Sequence, residues 1–378
     1  MAFAGCAEGF MKDGLYYQIS EDSEGTVSVE MPEDINDKNE MAEFLNRVET
    51  LTIPATVTDD ASGKTYRVIS VGDGVLKGLP NITTLIISEG IETINGIGAC
   101  PELSYIEFPE TLTAIYGMFT FSETPKLKTI KLPDSLEIVD GFFMMNTSLT
   151  EIIIPQNLKM LPNYGLSDNP DLETVTFQGT EEILSFALCN LPKLKKIIYS
   201  KTLEKIEGAS ICHAPALEEV WFNGNGSAKQ IHIAFQCFEC GAKRIYCNYT
   251  TPPEVGKPYL PESSAKFFSG EEWWPEIDLY VPHGYKEVYA EAQYWGRMNI
   301  HEMNFQNDIQ YAETDTPSIT AVPGGIMATG DASSEIEVYT IDGKLYTRQT
   351  LAPQEHLPLP AGIYIVHTDG NAHKVVVK

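Results

Sequence analysis

The chain has 378 residues, of which 43% are hydrophobic and 21% are charged, so it can bury a large core and does not have the composition of a disordered segment. Its 53 acidic residues outnumber its 26 basic residues and give a formal net charge of −27, which repels phosphate backbones and anionic lipid and argues against nucleic acid as a partner. No apolar run approaches the roughly 20 residues that a transmembrane helix needs.

Residues 1–45 precede the regular part of the chain and are predicted to cap its open end. Alternating apolar and polar residues over 15–19 and 26–29 indicate two strands. The N-terminus lacks a charged segment followed by an apolar stretch of about 7–15 residues, so no signal peptide is recognised. Residues 3–6 nevertheless resemble the end of a lipoprotein signal, which would make Cys6 a site of lipid attachment.

A first, divergent repeat and an inserted hairpin come next. Residues 48–53 hold a Val, a Leu three places on and an Ile two places after that. Residues 58–68 are predicted to form a hairpin, because Asp59, Asp60 and Gly63 are turn formers between two β-rich stretches.

The same apolar spacing recurs seven times between residues 80 and 222, with starts 21, 24, 22, 23, 22 and 23 residues apart. This period is typical of leucine-rich repeats, and each unit is too small to bury its own apolar face. The predicted fold is therefore mainly β: a leucine-rich-repeat solenoid of about eight repeats of 21–25 residues over 46–305, with N- and C-terminal caps. The apolar triplets are Ile82-Leu85-Ile87, Leu103-Ile106-Phe108, Leu127-Ile130-Leu132, Leu149-Ile152-Ile154, Leu172-Val175-Phe177, Leu194-Ile197-Tyr199 and Leu217-Val220-Phe222.

Further apolar columns support the stacking of repeats. One column lies six residues before each triplet, and another lies seven residues after its last member. Prolines flank many triplets, and because proline has no amide donor they are expected to bound the strands. The expected buried columns are Leu76, Ile97, Phe121, Phe143, Leu166, Leu188 and Ile211, and Ile94, Ile115, Val139, Leu161, Leu184 and Ile206.

Side chains between the inward positions of each strand are expected to point to the concave face of the solenoid. With strands about 4.8 Å apart, these rows form a strip on the order of 30 Å long, enough for a protein or an extended peptide. A line of exposed apolar residues indicates an interaction surface, although β propensity alone would also select such residues. The predicted partner-binding residues are Ile86, Tyr105, Glu107, Lys131, Ile153, Lys196, Ile198 and Trp221.

The cysteines fit the repeat register. Cys189 and Cys212 each lie five residues before a triplet, which favours small, buried, unbonded side chains that stack between repeats. Cys237 and Cys240 form a CxxC followed by Cys247, so a disulfide among these three and a metal site remain as alternatives. No second CxxC or paired His completes a zinc set, and we expect neither a metal nor a cofactor.

Catalytic motifs are absent from the sequence. It contains no GxSxG, no phosphate-binding glycine loop and no GxGxxG between a strand and a helix. We therefore expect a protein that is not an enzyme.

Residues 248–305 lose the repeat period but are rich in aromatic residues. The favoured interpretation is a C-terminal cap, with a strand over 278–281 and a helix over 284–294 whose apolar side includes Val288. The alternative is a glycan site in which Trp273, Trp274 and Trp295 stack on sugar rings.

The repeat triplets followed by Pro, the inserted hairpin and the C-terminal motifs together resemble BspA-like leucine-rich-repeat surface proteins of gut and oral anaerobic bacteria. The similarity covers roughly residues 45–303 and includes Thr251-Pro252-Pro253, the Val-Pro-x-Gly segment at 281–284, Tyr289 and Trp295. It implies a secreted or surface-attached protein, and for some members adhesion to host matrix proteins. The usual Ala-Phe-x-x-Cys signature is mostly replaced here, so the resemblance does not identify a ligand.

The tail is predicted to be a separate module. Residues 306–317 are polar and are predicted to be a linker, and residues 318–378 are predicted to form an immunoglobulin-like β-sandwich. Asp342-Gly343 and Asp369-Gly370 are turn signals between alternating stretches. This module resembles the C-terminal sorting domains of the type IX secretion pathway, which implies export or surface attachment; a purely structural domain is the alternative.

Taken together, the sequence predicts a non-enzymatic bacterial cell-surface or secreted protein. Its expected ligand is a host or extracellular protein bound on the concave face, and glycan binding through the aromatic cap is the alternative.

Overall fold

The computed structural model of the chain describes residues 8–20, 23–224, 231–234, 238–239, 242–256, 276–305, 318–322, 325–329, 334–340, 344–351, 356–360, 362–368 and 371–377. These residues form two compact units, Met1–Met303 and Asn304–Lys378. The predicted linker over 306–317 lies outside the described residues. Within the described residues, no helix is both long and apolar enough to cross a membrane.

The first unit is the predicted solenoid, with about nine turns. With one exception, each coil adds a short strand in parallel register beside the equivalent strand of the previous coil. The strands that contain the apolar triplets form the main sheet, which has two segments. The first segment consists of Thr50–Ile53, Thr84–Ile87 and Tyr105–Glu107, and the second of Glu151–Ile154, Thr174–Phe177, Lys196–Tyr199, Glu219–Phe222, Arg244–Cys247, Asp278–Pro282 and Asn299–Met303.

The main sheet is interrupted at the coil that begins with Leu127. Leu127 and Leu132 are buried as predicted, but residues 127–133 form no strand and Ile130 is only half-buried. The core beside this coil contains the rings of Phe121 and Phe143, whose centroids are 5.7 Å apart. Later coils have Leu or Ile at that position, so we attribute the irregular coil to the larger volume beneath it.

Short strands also run along two other sides of the coils, and on each side they are divided between two sheets. They lie at the positions where the chain turns back, and their pairing is also parallel. One set comprises Thr93–Asn95, Ala114–Tyr116, Ile138–Val139, Met160–Leu161, Glu182–Ile183, Lys205–Ile206, His232–Ile233 and Glu254–Val255, and the other comprises Leu76–Lys77, Ile97–Gly98, Leu188–Cys189, Ile211–Cys212 and Phe238–Glu239.

The N-terminal residues add three antiparallel strands and a helix. The strands are Gly9–Lys12, Leu15–Ile19 and Thr26–Glu30, and the last pairs with Thr65–Val71 of the predicted hairpin, whose other strand is Thr56–Thr58. The helix Ile35–Leu45 was not predicted. Its N-cap is Asp34, whose carboxylate accepts hydrogen bonds from the amides of residues 36 and 37.

The buried columns are confirmed with one shift. In the coil that follows Phe177, Ile183 is buried and Leu184 is only half-buried, so Ile183 fills the position predicted for Leu184. Ile183 pairs in register with Leu161 and Ile206 of the neighbouring coils. This coil therefore reaches the column one residue earlier than the constant spacing predicts.

The C-terminal cap closes the core with aromatic side chains. The helix Lys286–Ala290 and the 3-10 turn Trp295–Arg297 lie between the last two strands of the main sheet, Asp278–Pro282 and Asn299–Met303. Tyr289 and Trp295 are buried, whereas Val288 is 44% exposed. The prediction that Val288 lies on the apolar side of this helix is therefore wrong, because the helix is short and directs the adjacent Tyr289 into the core.

The second unit is a small β-sandwich with antiparallel pairing throughout. Its buried cluster draws residues from both sheets, including Ile326, Leu357 and Val338. The turns predicted at Asp342-Gly343 and Asp369-Gly370 lie outside the described residues. One sheet contains Ser318–Val322, Gly325–Thr329 and His356–Pro358, and the other contains Leu345–Leu351, Ser334–Thr340, Gly362–Thr368 and Asn371–Val377.

Candidate ligand-binding face

Outward-facing side chains of the second main-sheet segment stack in two columns. In Glu219–Phe222 the first and third residues face outward, while the second and fourth are buried. In-register pairing places each outward residue beside its equivalent in the next strand. The polar column is Glu151, Thr174, Lys196, Glu219, Arg244, Asp278 and Asn299, and the second column is Ile153, Thr176, Ile198, Trp221, Tyr246, Tyr280 and His301.

Four stacked rings end the second column, and we call Trp221, Tyr246, Tyr280 and His301 the aromatic row. Successive ring centroids are 3.7, 4.8 and 5.1 Å apart, with interplanar angles of 9°, 12° and 27°. All four side chains are half-buried. Parallel register enforces this stacking because it places one ring per strand at the strand spacing.

The faces of these rings are covered along the sheet. Neighbouring rings cover each other, and the ammonium of Lys196 lies 5.2 Å from the ring centroid of Trp221. A cation over an indole ring stabilises the pair by about 0.5–1 kcal/mol at an exposed site. Between Lys196 and His301, the aromatic row therefore presents ring edges to solvent.

Glu219 connects the polar column to the aromatic row. Its carboxylate accepts hydrogen bonds from Arg244 Nη2 at 2.9 Å and from Trp221 Nε1 at 3.0 Å, and Lys196 Nζ lies 3.6 Å away. Partial burial raises the pKa of Glu219, but the hydrogen bonds from Trp221 and Arg244 and the charge of Lys196 together hold it below its ordinary value. The ionised carboxylate therefore fixes the orientation of the indole.

Asp278 holds the other end of the row in a similar way. Its Oδ1 atom lies 2.8 Å from His301 Nε2 and accepts a hydrogen bond from Asn299 Nδ2 at 2.7 Å. The hydrogen bond with His301 is the largest influence on the pKa of Asp278 and, with that from Asn299, lowers it. The carboxylate therefore orients the imidazole, whose ring stacks on Tyr280.

Seven of the eight predicted partner-binding residues lie on the outward face of main-sheet strands. Lys131 does not, because the coil that contains it forms no strand, and the prediction of a strand position there is wrong. The interruption divides the others into two groups. Ile86, Tyr105 and Glu107 lie on the first segment, and Ile153, Lys196, Ile198 and Trp221 lie on the second.

Sequence reasoning missed the continuation of the column beyond Trp221. Tyr246, Tyr280 and His301 each lie two residues after a polar residue at the start of a strand, as Trp221 does after Glu219. That alternation was visible in the sequence. Residues 257–275 separate two of these strands and break the period, which is why the column was not followed further.

Of the three tryptophans predicted to form a glycan platform, Trp295 is not available for stacking. Trp295 is 2% exposed, and its indole nitrogen donates a hydrogen bond to the carbonyl oxygen of Pro253 at 3.0 Å. It packs edge-on against Phe222 and Tyr289. The proposed stacking role of Trp295 is therefore wrong, because the ring closes the core. Trp273 and Trp274 lie outside the described residues.

A disulfide joins Cys189 and Cys212. Their strands pair in parallel register and place the two Cα atoms 4.5 Å apart, within the range of about 4.4–6.8 Å that suits a disulfide. The predicted stacking of these two buried positions is correct. The prediction of unbonded thiols is wrong, because the same register brings the two sulfurs together.

Cys247 is a free, buried thiol, and burial raises its pKa to about 12. A disulfide through Cys247 is therefore not formed, and Cys237, Cys240 and Cys6 lie outside the described residues. Within the described ranges, no group of three or more His, Cys, Asp or Glu side chains is arranged to hold a metal ion.

Comparison with known proteins defines the class of the repeats. A family model for the BspA type leucine rich repeat region matches residues 97–218 in six copies. The first unit is thus a leucine-rich-repeat solenoid, and its central repeats are similar to the BspA type. No curated protein matches the chain.

Several solved structures of bacterial leucine-rich-repeat proteins are similar to this chain. One from Bacteroides ovatus is 16% identical over 78% of this chain and 90% of its own, with a TM-score of 0.39. The Treponema protein TpLRR, from T. pallidum, is 15% identical over 53% of this chain and 85% of its own, with a TM-score of 0.39. A leucine rich cell surface protein from Faecalibacterium prausnitzii is 17% identical over 71% of this chain and 100% of its own, with a TM-score of 0.31.

Proposed function

We propose that this chain is a non-enzymatic bacterial surface or secreted protein that binds a protein ligand on the outward face of the main sheet. The observation that carries the proposal is the aromatic row, four stacked rings that remain partly exposed on a BspA-type solenoid. Trp, Tyr and Arg dominate the binding energy of protein interfaces, and the row with Arg244 brings all three together.

A protein ligand fits the geometry better than a glycan does. Sugar rings stack on the open faces of aromatic rings, whereas the faces of Trp221, Tyr246 and Tyr280 are covered by neighbouring rings and by Lys196. Ile198 lies directly beside Trp221, and Ile153 lies two strands further along the same column, so the ring edges with these residues suit apolar and aromatic side chains of a partner. The buried position of Trp295 removes one of the three tryptophans on which the glycan alternative rests.

An extracellular location is part of the proposal. The disulfide between Cys189 and Cys212 supports it, because disulfides persist in oxidising compartments and are rare in the cytosol. Adhesion to a host or matrix protein is the role we propose for the ligand-binding face. Lipid attachment at Cys6 and a sorting function of the second unit are also proposed. Mass spectrometry of the native protein tests the lipid attachment. Surface labelling of cells that express the chain without residues 318–378 tests the sorting function.

The binding experiment uses the full chain immobilised at physiological salt. Purified extracellular-matrix proteins and a mixed glycan library are offered separately. We expect capture from the protein pool and a loss of affinity of at least about tenfold in Trp221→Ala and Tyr246→Ala, as for interface hot spots. Tyr346→Ala is the matched control, because Tyr346 is a 48% exposed aromatic residue of the second unit and lies outside the main sheet.

The outcomes separate the candidate functions. Protein capture that survives both substitutions would reject the main-sheet face as the site. Capture of glycans alone would favour the glycan-binding alternative, and no capture from either pool would reject adhesion to these ligands.

A further inference from the structure

A second row of aromatic rings lies at a corner of the coils, outside the main sheet. Phe119, Phe142, Tyr164 and Phe186 form this corner row, with successive ring centroids 5.1, 4.9 and 5.4 Å apart. The last three rings are nearly parallel, with interplanar angles of 3° and 8°. Phe119 is 47% and Phe186 is 40% exposed, and the neighbouring Met118 is 56% exposed.

The backbone at the corner row is unusual for such large residues. All four residues have positive φ angles, between 58° and 61°. This left-handed conformation costs a non-glycine residue about 1–2 kcal/mol and is uncommon for bulky side chains. Ala209 occupies the position equivalent to Phe186 in the next coil and has φ 54°, so the corner requires the conformation but not a ring.

Core packing does not explain these rings, because both ends of the row are exposed. Other residues fill the core beneath them, such as Phe121 and Phe143, which are fully buried. A line of exposed rings with Met118 beside it is the kind of apolar patch that marks an interaction site.

Two carboxylates lie beside the corner row. Asp140, next to Phe142, accepts a hydrogen bond from the amide of Gly117 at 2.8 Å. Glu207 accepts hydrogen bonds from the amide and hydroxyl of Ser185, the residue before Phe186, at 3.3 and 3.2 Å. The whole chain also carries a net charge of −27, which attracts cationic partners.

Two lysines near this corner are already ion-paired. Lys205 Nζ lies 2.8 Å from Glu207 Oε1, and Lys77 Nζ, close to Gly117, lies 2.6 Å from Asp73 Oδ1. Lys205 therefore offsets the charge of Glu207, and Lys77 offsets that of Asp73. Asp140 is in no ion pair among the described residues, so the acidic character of this flank comes from Asp140 and from the net charge of the chain.

We propose that the corner row is a docking surface for a basic amphipathic helix of a partner protein. The ring spacing of 4.9–5.4 Å matches the helical pitch of about 5.4 Å. A helix along the row can place one apolar side chain against each coil, at i, i+3 or i+4, and i+7. A strand repeats its side chains on one face about every 6.6 Å and does not match this spacing.

A synthetic helix of leucine and lysine tests the proposal. The peptide spans about five turns with leucines on one face, carries a dye, and is titrated with the full chain at physiological salt while anisotropy is measured. We expect affinity to fall at least about tenfold in the double variant Phe119→Ala/Phe186→Ala. Trp221→Ala, on the main sheet, is expected to bind the peptide as the unsubstituted chain does.

A second variant does not depend on deleting rings. Met118→Lys places a positive charge at an exposed position and should weaken binding of the basic peptide by repulsion. Thermal unfolding followed by tryptophan fluorescence checks that each variant is folded. Ala209 shows that alanine is accepted at this corner, so we expect the double variant to fold.

Several results would overturn the proposal. Equal binding of a peptide with its leucines scattered around the helix would mean that charge alone attracts the probe. Equal binding of a glutamate peptide, or unchanged affinity in both variants, would also refute it. The proposal would also be refuted if the unsubstituted chain bound phosphatidylcholine vesicles and the double variant lost this binding but still bound the peptide. A dimer of the chain that is seen in sedimentation and is dissociated by the double variant would refute it as well.

Discussion

Replacing Tyr289 with Phe should destabilise the first unit by about 1–3 kcal/mol. The side chain is 0% exposed, and its hydroxyl donates to the carbonyl oxygen of Tyr249 at 3.0 Å and lies 3.2 Å from Cys247 Sγ. The substitution keeps the ring but removes the donor from a buried acceptor, which costs about 1–3 kcal/mol. Burial raises the pKa of the Tyr289 phenol, so the hydroxyl remains a donor at neutral pH.

Urea unfolding followed by tryptophan fluorescence measures this cost. All four tryptophans, at 221, 273, 274 and 295, lie in the first unit, so their emission reports on the solenoid. Tyr289→Ala also removes the buried ring and should cost about 3–5 kcal/mol. Tyr346→Phe is the control, because Tyr346 is 48% exposed and belongs to the second unit.

The reasoning is refuted if Tyr289→Phe and the control change the free energy of unfolding equally. It is also refuted if Tyr289→Ala lowers the free energy of unfolding no more than Tyr289→Phe does, while the slope of that free energy against urea concentration is unchanged. Either result would mean that the C-terminal aromatic residues do not close the solenoid.

Three further substitutions test separate features. Cys189→Ala/Cys212→Ala should destabilise the first unit by about 3 kcal/mol, since the disulfide closes a loop with a separation of 23 residues, and reductant should lower the stability of the unsubstituted chain but not that of the variant. Gly179→Ala should cost about 1–3 kcal/mol, because an added Cβ would lie 1.9 Å from the carbonyl oxygen of Gln156; a shift in the urea midpoint below that range would contradict the contact. The pKa of Glu219 is lower in the folded than in the unfolded chain, so its ionised carboxylate stabilises the fold at pH values above the ordinary pKa of Glu. This stabilisation is lost as the pH falls through the folded pKa. Glu219→Gln should remove this loss from curves of unfolding free energy measured at acid pH.

The repeat period predicted the solenoid because burial is periodic. One apolar triplet per coil fixes which residues face the core, and the pairing of Ile197 with Val220 follows the predicted register. The period could not predict the irregular coil at Leu127, which we attribute to the size of Phe121 and Phe143, because a hydrophobic pattern does not record side-chain volume. The volume of the core side chains affects whether neighbouring strands can pair, whereas a hydrophobic pattern records only which side chains are apolar.

The candidate face was only partly predictable for a related reason. Trp221 was identified because it lies within the regular repeats, but Tyr280 and His301 follow residues 257–275, where the spacing is lost. The disulfide was missed because stacking and bonding of cysteines have the same sequence signature. The two outcomes differ only in the distance between coils at Cys189 and Cys212, which a sequence does not contain.

The two exposed aromatic rows differ in how their rings are held, and this difference explains why the main function is assigned to the main sheet. Glu219 fixes Trp221, and Asp278 fixes His301, so these side chains have already lost much of their rotamer freedom before a ligand arrives. The rings of Phe119, Phe142 and Phe186 contain no polar atom, so only stacking and the backbone conformation restrain them. Ordering a side chain on binding costs about 0.5–1.5 kcal/mol, so the preorganised row should bind its ligand with the smaller entropic loss.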